Sequence, residues 1–111
     1  MLPKANRIPS FEIRTVMRSG RRVSDRDIEL VYTSNHIGTA RFAFIVSTRV
    51  DKRATRRNRV KRLMREAVHR ALPHMQGNVD AVFIARSKYN VRDESGIAQR
   101  IETLLSRVHI V

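Results

Sequence analysis

The chain has 111 residues, 23 Lys+Arg against 10 Asp+Glu, a formal net charge of +13 and no cysteine. That length suits one domain over residues 1–111, and a hydrophobic fraction of 41% supports a packed core rather than wholesale disorder. The missing thiols exclude a disulfide framework, thiolate chemistry and a cysteine-type zinc site. No apolar run nears the ~18 residues of a membrane span, and residues 1–7 carry no signal-peptide pattern, so neither is expected. A domain this basic should seek a polyanion, with nucleic acid foremost.

Taken in chain order, Pro9-Ser10 opens a first helix, with Ser10 expected as N-cap and Gly20 beyond the C-terminus. Phe11, Ile13, Val16 and Met17 give this helix only a narrow apolar stripe, so it should pack on a larger body. A short extra strand fits around Arg22-Val23. In the first clear strand Ile28, Leu30 and Tyr32 alternate with Glu29 and Val31. Residues 40–48 place Ala40, Phe42, Phe44 and Val46 on one face and Arg41, Ala43, Ile45 and Ser47 on the other. Between these two runs, residues 34–39 read as a hairpin loop.

The next element is helical over 55–72. Val60, Leu63, Met64, Ala67, Val68 and Ala71 recur at helical spacing, and Pro73 stops the run. Gly77-Asn78 mark a turn. Residues 79–85 are apolar except for Asp80, which predicts a central strand covered on both sides. Ile97, Ala98, Ile101, Leu104, Leu105 and Val108 then predict a last helix running to the C-terminus, capped by Asp93 or Ser95. The order helix, strand, strand, helix, strand, helix describes an α/β (α+β) sandwich on one small mixed sheet.

The charge is local. Residues 49–70 hold ten cations against Asp51 and Glu66, a net of +8. A charge run is most often a solvated helix face, but solvation alone is served by Glu placed four residues before Lys or Arg, and only Glu66 is available. The cations also crowd the helix start at Arg56, Arg57 and Arg59, where the helix dipole disfavours each by about 0.3–1 kcal/mol when exposed. A phosphate partner reverses that sign, because the dipole, the free N–H groups and the Arg forks all favour an anion there. Asn58 adds donors and an acceptor. Because a strand leads into this helix, with no helix-turn-helix or heptad context, structured RNA fits better than the DNA major groove.

Other chemistry finds little support. His36, His69, His74 and His109 form no metal-binding pair at helical spacing. Asp25 with Asp27, and Asp93 with Glu94, are acidic pairs better read as turn and cap residues than as magnesium ligands. Neither a Gly-rich phosphate loop nor a nucleophile with a base is present, and six aromatics do not make a stacking-platform RNA reader.

The run Ala54-Thr55-Arg56-Arg57-Asn58-Arg59-Val60-Lys61-Arg62-Leu63-Met64-Arg65-Glu66-Ala67 resembles the protein subunit of bacterial ribonuclease P, whose mark is Arg-Asn-Arg followed by Lys-Arg and Arg-Glu on one helix. Leu2-Pro3-Lys4 with Arg7, a first helix ending at Gly20, the strand at 42–47, and Val82-Phe83-Ile84-Ala85-Arg86 occur in the family's order, so the resemblance covers essentially the whole chain. It implies a left-handed β-α-β crossover. It also implies a protein partner of a catalytic RNA that removes the 5′ leader of precursor tRNA in the cytoplasm. In that family catalysis belongs to the RNA and its magnesium ions; for this chain neither a membrane nor an obligate protein partner is expected. The RNA-binding residues it implies, together with the charge reading, are Arg49, Lys52, Arg53, Arg56, Arg57, Asn58, Arg59, Lys61, Arg62 and Arg65. Its leader cleft, between the first helix and the sheet, falls here on Phe11, Ile13, Met17 and Val31. Ile13 and Met17 stand where the family usually has two Phe. Thr48 and Arg49 end the strand where it commonly has lysines, and Asp51-Lys52-Arg53 replaces a glycine-containing turn. A structural RNA-binding protein, such as a ribosomal one, is the alternative from another class.

Overall fold

A computed structural model describes residues 2–25, 28–75, 77–86 and 94–108. The described elements are helix α1 (Ser10–Ser19), strands β1 (Arg21–Asp25), β2 (Ile28–Ser34) and β3 (Arg41–Val46), helix α2 (Ala54–Ala71), strand β4 (Val79–Ala85) and helix α3 (Glu94–Arg107). Single 3-10 turns lie at Lys4–Asn6 and Leu72–His74. The fold is α+β, one mixed four-stranded sheet with three helices, and the extra strand expected near Arg22-Val23 is β1.

Strand order is β1-β2-β4-β3. β1 pairs antiparallel with β2, β2 antiparallel with β4, and β3 parallel with β4. β4 takes the centre, as its apolar run requires: Ala81, Val82, Phe83, Ile84 and Ala85 are all buried. This placement overturns the hairpin expected at residues 34–39. β2 and β3 do not pair with each other, because β4 lies between them, and the loop must step across it, a distance of about 10 Å at the usual strand spacing. The loop is held against the turn before β4: Asn35 N–H donates to the Asn78 carbonyl at 2.9 Å. Gly77 permits this approach, since a Cβ there would sit 2.8 Å from the Gly38 carbonyl oxygen. Gly38 at φ 81° and Asn78 at φ 70° supply the left-handed residues of the two turns.

The two sheet faces bury separate clusters. On one, Leu30, Phe42, Val46, Ala81, Phe83 and Ala85 meet α2 through Val60, Met64, Ala67 and Val68, and α3 through Ile97, Ile101, Leu104 and Leu105. Phe83 stacks between Phe42 and Phe44, with centroids 6.4 and 5.9 Å away. On the other face Val31, Ala43, Val82 and Ile84 receive Ile8 and Val16, with Ile13, Met17 and Ile45 half-buried at the margin. The apolar positions predicted on both long helices are those that pack.

Helix ends differ from expectation in detail. Pro9, not Ser10, is the N-cap of α1; Ser10 is the first helical residue, and the Pro9 carbonyl accepts the Glu12 N–H at 2.9 Å. α3 begins at Glu94, ahead of Ser95, so Ser95 is not its cap; Asp93 lies outside the described residues. α2 ends at Ala71, and the Pro73 stop takes the form of the 3-10 turn.

Candidate nucleic-acid interface

Helix α2 carries its cations away from the core. Val60, Met64, Ala67 and Val68 are buried, while Asn58, Arg59, Arg62, Arg65 and Arg70 are exposed and Arg56, Arg57 and Lys61 half-exposed. Its first turn has no acidic residue. The turn leading into it is anchored by Val50, only 3% exposed, whose N–H donates to the Ser47 carbonyl at 3.0 Å. Arg49 and Lys52 project from that turn into solvent.

The residues at the helix start are organised by Asp51. Its carboxylate accepts the Arg53 N–H at 2.8 Å and the Arg53 side chain at 3.2 and 3.3 Å, with Arg56 Nε at 3.9 Å. The Arg53 side-chain hydrogen bonds lead in holding the Asp51 carboxyl below the usual carboxylate range, helped by the Arg53 N–H and the Arg53 and Arg56 charges. Arg57 folds back, donating Nη1 to the carbonyls of Asp51 at 3.0 Å and Lys52 at 2.7 Å. A polar turn thus fixes several guanidinium groups at the positive end of the helix, which lowers the ordering cost of gripping an anion there. Arg62 and Glu66 approach at 3.9 Å with both side chains more than half exposed, a contact worth at most a few tenths of a kcal/mol (~0.3–0.5).

Two ion-pair groups escaped the sequence reading. On the α1 face, Arg41 donates Nε and Nη2 to Asp80 at 2.8 and 2.7 Å and Nη1 to Glu12 at 3.1 Å, while Asn35 donates to Asp80 at 2.7 Å. Arg41 and Asp80 are neighbours in the β3–β4 register, so the lone charge in an apolar strand was the signal. The Arg41 guanidinium is held more firmly protonated, chiefly by its hydrogen bond to Asp80. Farther along this face Glu29 Oε1 accepts from both Arg22 and Arg86 at 2.8 Å, and Arg22 also donates to the Met17 carbonyl at the end of α1. That grouping depends on β1, β2 and the end of β4 coming together, and sequence spacing carries no trace of it.

A family model described as Ribonuclease P matches residues 2–109. The chain belongs to the ribonuclease P protein family. It is 37% identical to the ribonuclease P protein component of Clostridium botulinum (strain Loch Maree / Type A3) over 109 residues, covering 96% of this chain and 97% of that one. It is 35% identical to that of Pelotomaculum thermopropionicum over 95 residues, covering 86% and 84%. The RNase P protein of Staphylococcus aureus superposes with a TM-score of 0.85 at 25% identity, over 96% of this chain and 98% of that one. The Thermotoga maritima RNase P protein shares the fold, with a TM-score of 0.80 at 22% identity over 91% and 96%.

Within this family frame the residues expected at the leader cleft separate into three groups. Ile13 and Met17 are half-buried against the sheet cluster and border its open side. Val31 is fully buried beneath α1, where Gly20 packs against it, so it supports the helix and has no surface to offer a ligand. Phe11 is 82% exposed and points away from the sheet: Val16 turns toward the strands, and Phe11 lies on the opposite side of the helix. Of the acidic and histidine candidates, Asp27, Asp93 and His109 lie outside the described residues, and His36, His69 and His74 are exposed. Among the described residues no three His, Asp or Glu side chains gather as a metal cage. Glu29, Asp51 and Asp80 are instead engaged by arginines. These carboxylates do not fit a magnesium site. No helix among the described residues is long and apolar enough to cross a membrane.

Proposed function

We propose that this chain is the protein subunit of a ribonuclease P holoenzyme, binding the catalytic RNA through α2 and the turn before it. In this reading it holds the 5′ leader of precursor tRNA between α1 and the sheet, and it assists leader removal in the cytoplasm. Family membership supports the assignment to this endoribonuclease. The observation that carries the RNA-binding reading is the arrangement of α2: a fully apolar inner side, and an outer side with cations along its whole length and no acid in the first turn.

The chain's own part in the reaction is electrostatic and positional. Phosphates brought to Arg53, Arg56 and Arg59 meet the helix dipole, free N–H groups and guanidinium forks together. Arg62, Arg65 and Lys61 extend the contact along the helix, and Arg49 and Lys52 extend it across the turn. Screening of phosphate repulsion between two RNAs lowers the magnesium concentration they need to associate; the ions themselves belong to the RNA and the substrate, and no step is assigned to a metal on this chain. Beyond the end of β3, the short turn leading to α2 links the side of the sheet bordered by Ile13, Met17 and Ile45 with the cationic helix start. A leader in that cleft and a catalytic RNA on α2 would then lie on opposite faces of the sheet, joined around its edge by this turn.

Reconstitution tests the reading. Purified protein added to ribonuclease P RNA should raise precursor-tRNA cleavage at low magnesium. Absence of stimulation, with RNA binding intact, would assign the chain to a structural RNA-binding role instead.

A further inference from the structure

The outer side of α1 is unaccounted for by either proposed RNA contact. Phe11 is exposed at 82%, far more than an apolar ring gains from packing, and Arg14 and Arg18 follow it at three and seven residues, on the same helix face. Both arginines are exposed. The one acid of this helix, Glu12, is turned to the sheet by its ion pair with Arg41 at 3.1 Å. The outer side of this helix is thus an aromatic ring followed by two cations, with no acid of the helix itself beside them. The other described phenylalanines are committed to the core: Phe42 and Phe83 are fully buried, and Phe44 stacks on Phe83.

From this juxtaposition we propose that Phe11, Arg14 and Arg18 form a second single-stranded RNA contact, which takes the 5′ leader where it leaves the cleft and passes over α1. A base stacks on the Phe11 ring, and neighbouring phosphates lie along Arg14 and Arg18. Stacking on an aromatic is available to every base, so the contact reads strand, not sequence. The leader is the occupant because Ile13 and Met17, on the inner flank of the same helix, border the proposed cleft, and a helix is only about 10–12 Å across. A strand of a few further nucleotides bridges the two flanks. The catalytic RNA is the poorer candidate: α2 packs on the opposite sheet face, so an RNA lying on it is separated from this surface by the whole sheet and α1. The inference rests on the leader reading above and extends it to nucleotides beyond the cleft.

The test uses the reconstituted holoenzyme with precursor tRNAs carrying a long leader, a leader trimmed to the cleft, or none. Phe11→Ala should weaken binding of the long-leader substrate by about tenfold. It should leave the trimmed substrate and assembly with the catalytic RNA unchanged. Arg14→Ala with Arg18→Ala should act in the same direction and flatten the salt dependence of long-leader binding. Because the chain has no tryptophan, Phe11→Trp provides a single indole whose fluorescence a leader oligonucleotide should quench, with or without catalysis. Equal affinity of Phe11→Ala for all three substrates, an unquenched Trp, or a loss confined to assembly with the catalytic RNA would each overturn the proposal. Failure of the wild-type protein to stimulate cleavage, with the quench still present, would instead strike the holoenzyme reading.

Discussion

Replacing Asp80 with alanine would take from a guanidinium buried in the sheet its bidentate partner. Arg41 is 8% exposed and Asp80 6% exposed, and they meet through two hydrogen bonds of 2.8 and 2.7 Å. Asn35 would also lose its 2.7 Å acceptor, leaving Arg41 with Glu12 as its remaining carboxylate partner, at 3.1 Å. Removing one member of a buried pair typically costs about 3–5 kcal/mol, because the remaining charge stays desolvated. Against a total stability of roughly 5–15 kcal/mol for a domain of this size, that is a large share. Urea unfolding followed by circular dichroism should show a matching drop in the midpoint at unchanged slope. Replacing both partners, Arg41→Met with Asp80→Leu, should recover much of the loss, since no buried charge is left unpaired and the Glu12 carboxylate, 36% exposed, returns to water. The pH dependence has a defined sign. Burial pushes the Asp80 carboxyl up, but hydrogen bonds from Arg41 and Asn35, with the Arg41 charge, outweigh it and hold the group below its ordinary value. The pair therefore stabilises the fold fully above the unfolded value near pH 4 (about 3.9), and loses that contribution as pH falls through the lower folded value. Asp80→Ala should lack this part of the acid transition. A cost below about 1 kcal/mol, typical of a surface ion pair, would refute the reasoning.

Three further outcomes follow from the site and the fold. Arg57→Ala should weaken RNA binding and also lower stability by about 1–2 kcal/mol, because its guanidinium ties the Asp51 and Lys52 carbonyls to the helix. Arg62→Ala should weaken binding alone, its contact with Glu66 being 3.9 Å and exposed. Parallel urea melts and RNA titrations separate the two effects, and equal stability losses would contradict the assignment. With about six phosphates contacted, log K for the catalytic RNA should fall against log salt with a slope of roughly −4 to −5, and a flat dependence would count against the α2 surface. Gly20→Ala should cost about 1–3 kcal/mol by thermal melting. Its Cβ would sit 2.6 Å from Val31 Cγ1 and 2.7 Å from the Val16 carbonyl oxygen.

Helical periodicity alone puts Arg57 and Arg62 alike off the apolar face, where replacing them should leave the fold intact. The structure separates them. Periodicity says which way a side chain leaves its helix, and it is silent on what the preceding turn presents to that side chain. The same limit explains Phe11. Grouped with Ile13 and Met17 as apolar, it lies on the far side of a helix whose orientation is set by Val16 and by the Glu12–Arg41 pair. Conversely, the lone Asp80 in a run of apolar residues stood out in the sequence, but its partner, thirty-nine residues away, emerged only when β3 and β4 aligned in parallel.

The sequence by itself determined the long elements, the apolar sides of α2 and α3, the central place of β4, and the concentration of +8 on residues 49–70. Those properties are written in periodicity, burial preference and local charge. The tertiary structure decided that β4 enters between β2 and β3, that Arg41 meets Asp80 across the sheet, and that Val31 lies sealed under α1 while Phe11 faces water. Strand order and cross-strand charge pairs depend on contacts between distant segments, and no local pattern encodes which segments those will be.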